Sequence, residues 1–143
     1  MKGGDGMPSP RFVHIDDIPA QEVKAQQHGE RRAAIKLRFL ERTPERVFIH
    51  TWYDPGIVVE RHGHRSDHAI FIIDGSVTID DVECTAGTLV ILEEGAAFGP
   101  LVAGPDGTEL LEFYAGNPAP VPTDPTGFAK LLEQRGITPL EIV

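Results

Sequence analysis

From Ala33 to Gly116 the chain alternates short apolar runs with breaks rich in Gly, Pro and acidic residues. The runs are AAIKLRFL, VFIHTWY, IVVE, HAIFII, VTID, AGTLVIL and ELLEFYAG, and the breaks include TPE, DPG, DGS and EEG. Each run spans four to eight residues, the length of a strand, and strands so punctuated predict an antiparallel sandwich or small barrel, not a βαβ fold. One helix is predicted, in PTDPTGFAKLLEQRGITP. There Asp124 or Thr126 can cap it, Phe128, Leu131 and Leu132 form an apolar stripe, and Gly136 stops it. The earlier stretch PAQEVKAQQHGE reads as a helical turn of weak periodicity. The fold class is therefore all-β with a short C-terminal helix.

Composition narrows the functional classes. The 143 residues suffice for one core, so residues 13–143 read as a single domain behind a flexible arm, MKGGDGMPSPRF, at 1–12. No apolar run approaches the ~20 residues of a membrane helix, and the arm lacks the apolar centre of a signal peptide, so a cytoplasmic location is expected. With 22 acidic against 13 basic residues the formal charge is −9, which argues against nucleic acid and anionic membranes as partners. Cys84 is the single cysteine, so any metal must be held by His, carboxylate or amide groups.

Three of the six histidines, His62, His64 and His68, fall inside RHGHRSDH. Residues two apart on a strand share a face, so His62 and His64 project together. RSD is turn chemistry, and a chain that doubles back there brings His68 to face them. Three imidazoles so placed predict one divalent metal site. A slip of one residue would exchange His68 for Asp67 and give a 2-His-1-carboxylate set suited to non-haem Fe(II). His50 is a candidate fourth ligand, since Phe48, His50 and Trp52 share one face of VFIHTWY. The expected lining is Trp52, Ile70, Ile72 and Phe98, and the candidate proton-transfer groups are His50, Tyr53, Glu112 and Tyr114.

The spacing Gly56, five residues, His62, one residue, His64, three residues, His68, six residues, Gly75 resembles the first motif of the cupin superfamily, with His68 where cupins usually carry Glu. In the second motif Gly87, Glu93, Gly95 and Phe98 stand in the places of Gly, Pro, Gly and His. The resemblance covers roughly Val47 to Gly116 and implies a jelly-roll β-sandwich with a metal at the bottom of a cavity. Among cupins the chain looks similar to the small single-domain aromatic-polyketide cyclases of the resistomycin cyclase type, from antibiotic-producing pathways. That likeness implies metal-assisted aldol closure and dehydration of a poly-β-ketone, with zinc as cofactor and Fe2+ as the alternative. The substrate would be small, hydrophobic and polyketide-like, arriving free or on an acyl carrier protein. Two other readings stay open, a non-haem Fe(II) dioxygenase cleaving a diketone or phenol, and a non-catalytic ligand-binding cupin. A homodimer paired through strand edges is expected.

Overall fold

The computed structural model describes residues 6–142, so residues 1–5 of the expected arm lie outside the described residues, and residues 9–14 carry no helix or strand. A 3-10 turn at Ile15–Asp17 precedes eleven strands and one helix. In chain order these are β1 (Gln21–His28), β2 (Arg31–Arg42), β3 (Val47–Tyr53), β4 (Val58–Val59), β5 (His62–His64), β6 (His68–Ile79), β7 (Val82–Thr85), β8 (Leu89–Leu92), β9 (Leu101–Tyr114), β10 (Pro120–Pro122), α1 (Pro125–Arg135) and β11 (Ile137–Leu140). Nine strands form one antiparallel sheet ordered β11-β1-β2-β3-β9-β6-β7, with β4 on β9 and β8 on β6; β5 and β10 form a separate two-stranded sheet.

The long strands β6 and β9 pair along most of their length and are bent where the register shifts, between Ile72 and Asp74 and between Gly75 and Val77. DGS, read from sequence as a break, is thus a bulged bend inside one strand. The bend explains Gly75 and Gly107. Both have positive φ, and a Cβ on Gly75 would stand 2.0 Å from the Gly107 carbonyl oxygen, while one on Gly107 would press on the Trp52 ring at 2.7 Å. Each position requires glycine. The actual reversal comes at Asp80 and Asp81, both at positive φ, which join β6 to β7 as a two-residue hairpin loop.

Inside the sandwich the main core gathers Ile35, Tyr53, Ile57, Ile70, Ile72, Val77, Phe98, Leu101 and Leu110 with smaller neighbours. On β6 burial alternates from His68, with Ile70 and Ile72 buried and Phe71 and Ile73 exposed, so the period of two sets which residues meet the core. The helix follows the sequence reading. Asp124 caps it by accepting from Gly127 N at 3.0 Å, a contact that contributes about 1 kcal/mol, and Gly136 ends it in the left-handed conformation. Its stripe of Phe128, Leu131 and Leu132 packs on Val58, Val102 and Ile137.

The region read as a helical turn is strand β1. It pairs with β2 on one side and β11 on the other, and the buried amide of Gln26 both donates to Val58 O at 2.6 Å and accepts from Val58 N at 3.1 Å. Tertiary pairing outweighs the weak helical preference of EVKAQQ. No helix among the described residues is long and apolar enough to cross a membrane.

Candidate functional site

His62 and His64 stand on β5, whose backbone is held from both sides. Pro120 and Pro122 of β10 lie opposite His64 and His62, and His62 exchanges two backbone hydrogen bonds with Phe98, at 2.9 and 3.0 Å. Gly63 between them lets the strand run close to the Ala96 carbonyl, which a Cβ would meet at 3.0 Å. His68 opens β6, opposite Tyr114 of β9. The three imidazoles come together. The ring centres of His62 and His64 are 4.9 Å apart and those of His64 and His68 4.8 Å, both near edge-to-face.

Hydrogen bonding fixes what two of these rings can offer. Nδ1 of His62 lies 2.7 Å from the Glu60 carbonyl oxygen and Nδ1 of His64 lies 3.2 Å from that of Ala119. A carbonyl accepts only, so each Nδ1 carries the proton and each Nε2 keeps its lone pair. Nε2 of His64 and both ring nitrogens of His68 are buried without a hydrogen-bond partner, the only such side-chain atoms among the described residues. Unpaired buried polar atoms cost about 1–3 kcal/mol each, so three in one cluster mark a place built for something other than packing.

Burial lowers the pKa of His62, and it lowers that of His64 to about 4, assisted there by the charges His68 and His62 would carry. Both rings are thus neutral at neutral pH, the form that can donate a lone pair.

Glu112 of β9 completes the group. Its Oε1 is 3.6 Å from His68 Nε2, an ion-pair distance longer than a hydrogen bond, while Oε2 accepts from Thr51 Oγ1 at 2.8 Å and Oε1 from the Tyr114 hydroxyl at 3.3 Å. Burial alone would push this carboxyl up, but His68, Thr51 and Tyr114 together outweigh it and hold Glu112 below the usual carboxylate range. Tyr114 and Tyr53 move the other way. Burial first, then the charge of Glu112, raise both phenols, so both stay protonated; Tyr114 donates a hydrogen bond to Glu112, and Tyr53 lies in the core away from the cleft.

Above the cluster opens a cleft of about 430 Å³ in which His62, His64, Glu112 and Tyr114 are exposed to the interior; Leu37, Phe39, Ile49 and Val59 form apolar wall and Asn117–Pro120 one rim. A depression of similar size, about 480 Å³, lies between the β6–β7 turn and α1, lined by Arg61, Asp80, Asp81 and Arg135. It holds none of the unpartnered buried atoms, and the imidazole cleft is therefore the candidate site.

Several expected site residues lie elsewhere. His50 and Trp52 face away from Thr51 and Glu112, on the outer side of β3. There His50 is bonded through Nε2 to Glu109 at 2.7 Å and approached by Arg38 at 3.3 Å, and Trp52 donates to Asp54 at 2.8 Å. The aromatic face of VFIHTWY is the outer one, so His50 is no fourth ligand and Trp52 no cavity wall. Ile70 and Ile72 are buried in the core beneath the cluster and do not border the cleft. Phe98 does join the imidazoles, with its ring centre 4.5 Å from that of His62 and 5.8 Å from that of His68.

Asp67 is exposed and caps the Glu94 amide at 2.9 Å, so the register places His68, not Asp67, inward. His14 is exposed, and His28 is half-buried with Nε2 3.1 Å from Gln26 Oε1. The walls Leu37 and Phe39 went unassigned in the sequence, although the alternation of Ile35, Leu37 and Phe39 with Lys36 and Arg38 carries the signal of their shared face.

Among the described residues no group of three or more His, Cys, Asp or Glu side chains is placed so that it could hold a metal ion as it stands. Donor chemistry nonetheless fits one. Two imidazoles with Nδ1 tied to carbonyl oxygens and Nε2 free have the arrangement that orients metal-ligating histidines, and a third with both nitrogens unpartnered stands beside them.

No protein-family model and no curated protein sequence matches the chain. Solved structures do. The polyketide cyclase RemF from Streptomyces resistomycificus is 21% identical with a TM-score of 0.64, over 85% of this chain and 94% of that one. An RmlC-like cupin from Shewanella frigidimarina is 20% identical with a TM-score of 0.62, over 77% and 94%. KdgF from Halomonas sp. is 18% identical with a TM-score of 0.61, over 77% and 97%.

Proposed function

On the premise that this chain has the cupin fold, we propose that it is a metal-dependent cyclase that closes a ring in a small poly-β-ketone by aldol addition and dehydration. The observation that carries the reading is the set of unpartnered imidazole nitrogens of His64, which lines a largely apolar cleft, and of His68, buried beside it, next to the ionised Glu112. The likeness to a polyketide cyclase at 21% identity supports the fold and only suggests the substrate. His62, His64 and His68 would hold a divalent ion, zinc in this reading, which supplies Lewis acidity to a carbonyl oxygen of the substrate.

The chain's own groups account for the proton transfers. A methylene between two carbonyls is acidic, and Glu112, kept ionised and oriented by Thr51 and Tyr114, takes its proton. The resulting carbanion attacks a second carbonyl carbon of the same molecule, forming the C–C bond, and the new alkoxide regains the proton from Glu112. Glu112 then takes the remaining proton of the same carbon and passes it to the departing hydroxyl, so that water leaves, the double bond forms and the carboxylate is restored. Leu37, Phe39, Ile49 and Val59 fold the substrate and keep bulk water from the carbanion.

One observation favours a second reading. His62, His64 and Glu112 all line the cleft, so the residue types of a 2-His-1-carboxylate set, the type that holds Fe(II) in oxygenases, are present there. Conversion of a poly-β-ketone model compound by metal-stripped protein reloaded with zinc in a glove box separates the two. Ring formation without oxygen supports the cyclase; product only with iron and air would replace it by the dioxygenase.

A further inference from the structure

Irregular pairing shapes the β2 wall of the cleft. Leu37 and Phe39 face the cleft, and strict alternation would bring Glu41 in next and send Arg42 out. A bulge between Phe39 and Glu41 reverses this, setting Glu41 opposite the exposed Phe48 and Arg42 opposite the buried Val47. Arg42 therefore lines the mouth of the cleft. Its guanidinium carbon lies 4.5 Å from the centre of the Phe39 ring, so the ring holds the flat of the group while the N–H groups in its plane remain able to donate. Among the described residues no carboxylate lies within ion-pair distance of it. Glu41, its neighbour in sequence, is engaged on the other side of the strand by Arg11 and Arg46.

A second depression, of about 580 Å³, adjoins the cleft at this point. Arg42, Asn117 and Pro118 border both, and Thr43, Pro44 and Gly116 line the far part. We infer that the substrate carries an anionic group at the end away from its reacting carbons, and that Arg42 pairs with that group where the two depressions meet. This deepens the cyclase reading and rests on it for the kind of chain that enters. An apolar wall needs no cation to hold a neutral polyketone. A guanidinium already stacked and without a carboxylate partner has lost part of its freedom before the ligand arrives, and its planar fork matches a carboxylate or a phosphate through two parallel hydrogen bonds. The chain as a whole carries −9 and repels anions, so a local cation is what admits one at this mouth. The carboxylates of the cleft, Glu60 and Glu112, act on His62 and His68, and neither borders the second depression. Lys24, the other cation of the lining, has its Nζ 5.3 Å from the centre of the Phe128 ring on α1 and does not border that depression either. The anion can be the carboxylate of a free acid or the phosphate of a carrier's arm.

Isothermal titration calorimetry on the full chain tests this with two pairs of probes. One pair is para-acetoacetylbenzoate and its methyl ester; the other is acetoacetyl phosphopantetheine and acetoacetyl pantetheine. Each pair differs by one anionic group, and binding is read apart from turnover. The parent should bind the anionic member of at least one pair about tenfold more tightly, and Arg42→Gln should bring the two members to within about twofold. A preference in the benzoate pair identifies a free acid, and one in the pantetheine pair a carrier's arm. Arg42 is exposed, so its replacement leaves the core intact. Lys36→Gln removes the same charge from the outer side of β2, where Lys36 lies opposite Trp52, and should leave the preference unchanged. No preference in either pair, a preference that Arg42→Gln retains, or one that Lys36→Gln removes equally would each overturn the proposal. Failure of ring closure with the preference intact would sink the cyclase and leave the anionic ligand standing.

Discussion

The ring of His68 lies flat on the ring of Tyr114, with centres 3.9 Å apart and planes 14° from parallel, while the Tyr114 hydroxyl reaches Glu112. One tyrosine therefore sets the plane of an imidazole and supports a carboxylate. Tyr114→Phe keeps the stack and should cost about 1 kcal/mol in urea unfolding, the worth of one hydrogen bond. Tyr114→Ala removes a buried ring as well and should cost about 3–5 kcal/mol. Equal losses would mean that the stack contributes nothing.

His62→Ala with His64→Ala should reduce zinc affinity by more than about tenfold, since it removes both imidazoles whose tautomer the backbone fixes. Metal content by mass spectrometry after dialysis against a fixed free zinc concentration reads the effect. Content equal to the parent's would move the site elsewhere.

Glu112→Gln retains the shape and the contact with Thr51 but cannot take a proton. In the cyclase reading turnover falls by about 10²–10⁴-fold while zinc content holds. A matching loss of metal would instead make Glu112 a ligand and favour the 2-His-1-carboxylate assignment.

Acid should destabilise the metal-free protein in a defined window. The folded value of His64, about 4, lies below its unfolded value of about 6.5, so between these the unfolded chain binds more protons and stability falls with falling pH. The contribution is complete above about pH 6.5 and lost on the way to about 4, worth at most roughly 3 kcal/mol. His62 adds in the same direction, and Glu112, held low when folded, adds a further loss below its unfolded value. Urea midpoints from pH 7 to 4, measured with chelator present, check this; a flat profile would mean the imidazoles are not neutral and buried.

Local signals were sufficient where local physics decides. β3 spans the run VFIHTWY, the helix starts after Asp124 and stops at Gly136, and the turn RSD brings His68 back to the pair. Sequence reasoning failed where distant strands decide. β1 looks mildly helical until β2 and β11 flank it, and DGS looks like a turn until Gly107 is seen to press against Gly75. Which face of β3 turns inward cannot be read from a run apolar on both faces, and that ambiguity sent His50 and Trp52 to the wrong side. Glu112 could be named but not placed, because its position depends on β9 pairing simultaneously with β3 and β6.

His62 and His64 belong to the two-stranded sheet of β5 and β10, whereas His68 and Glu112 belong to the nine-stranded one. β10 holds β5 at three paired positions only, two of them prolines that donate nothing, and the other side of β5 is held by Phe98 and Gly95, outside the large sheet, so the small sheet can loosen while the large sheet stays zipped. Whatever bridges the imidazoles would then act as a clasp between a loose leaf and a firm one. Its binding energy would appear as slowed amide exchange in Gly63 and His64, with little change along β2, and part of its affinity would be spent in holding the leaf closed.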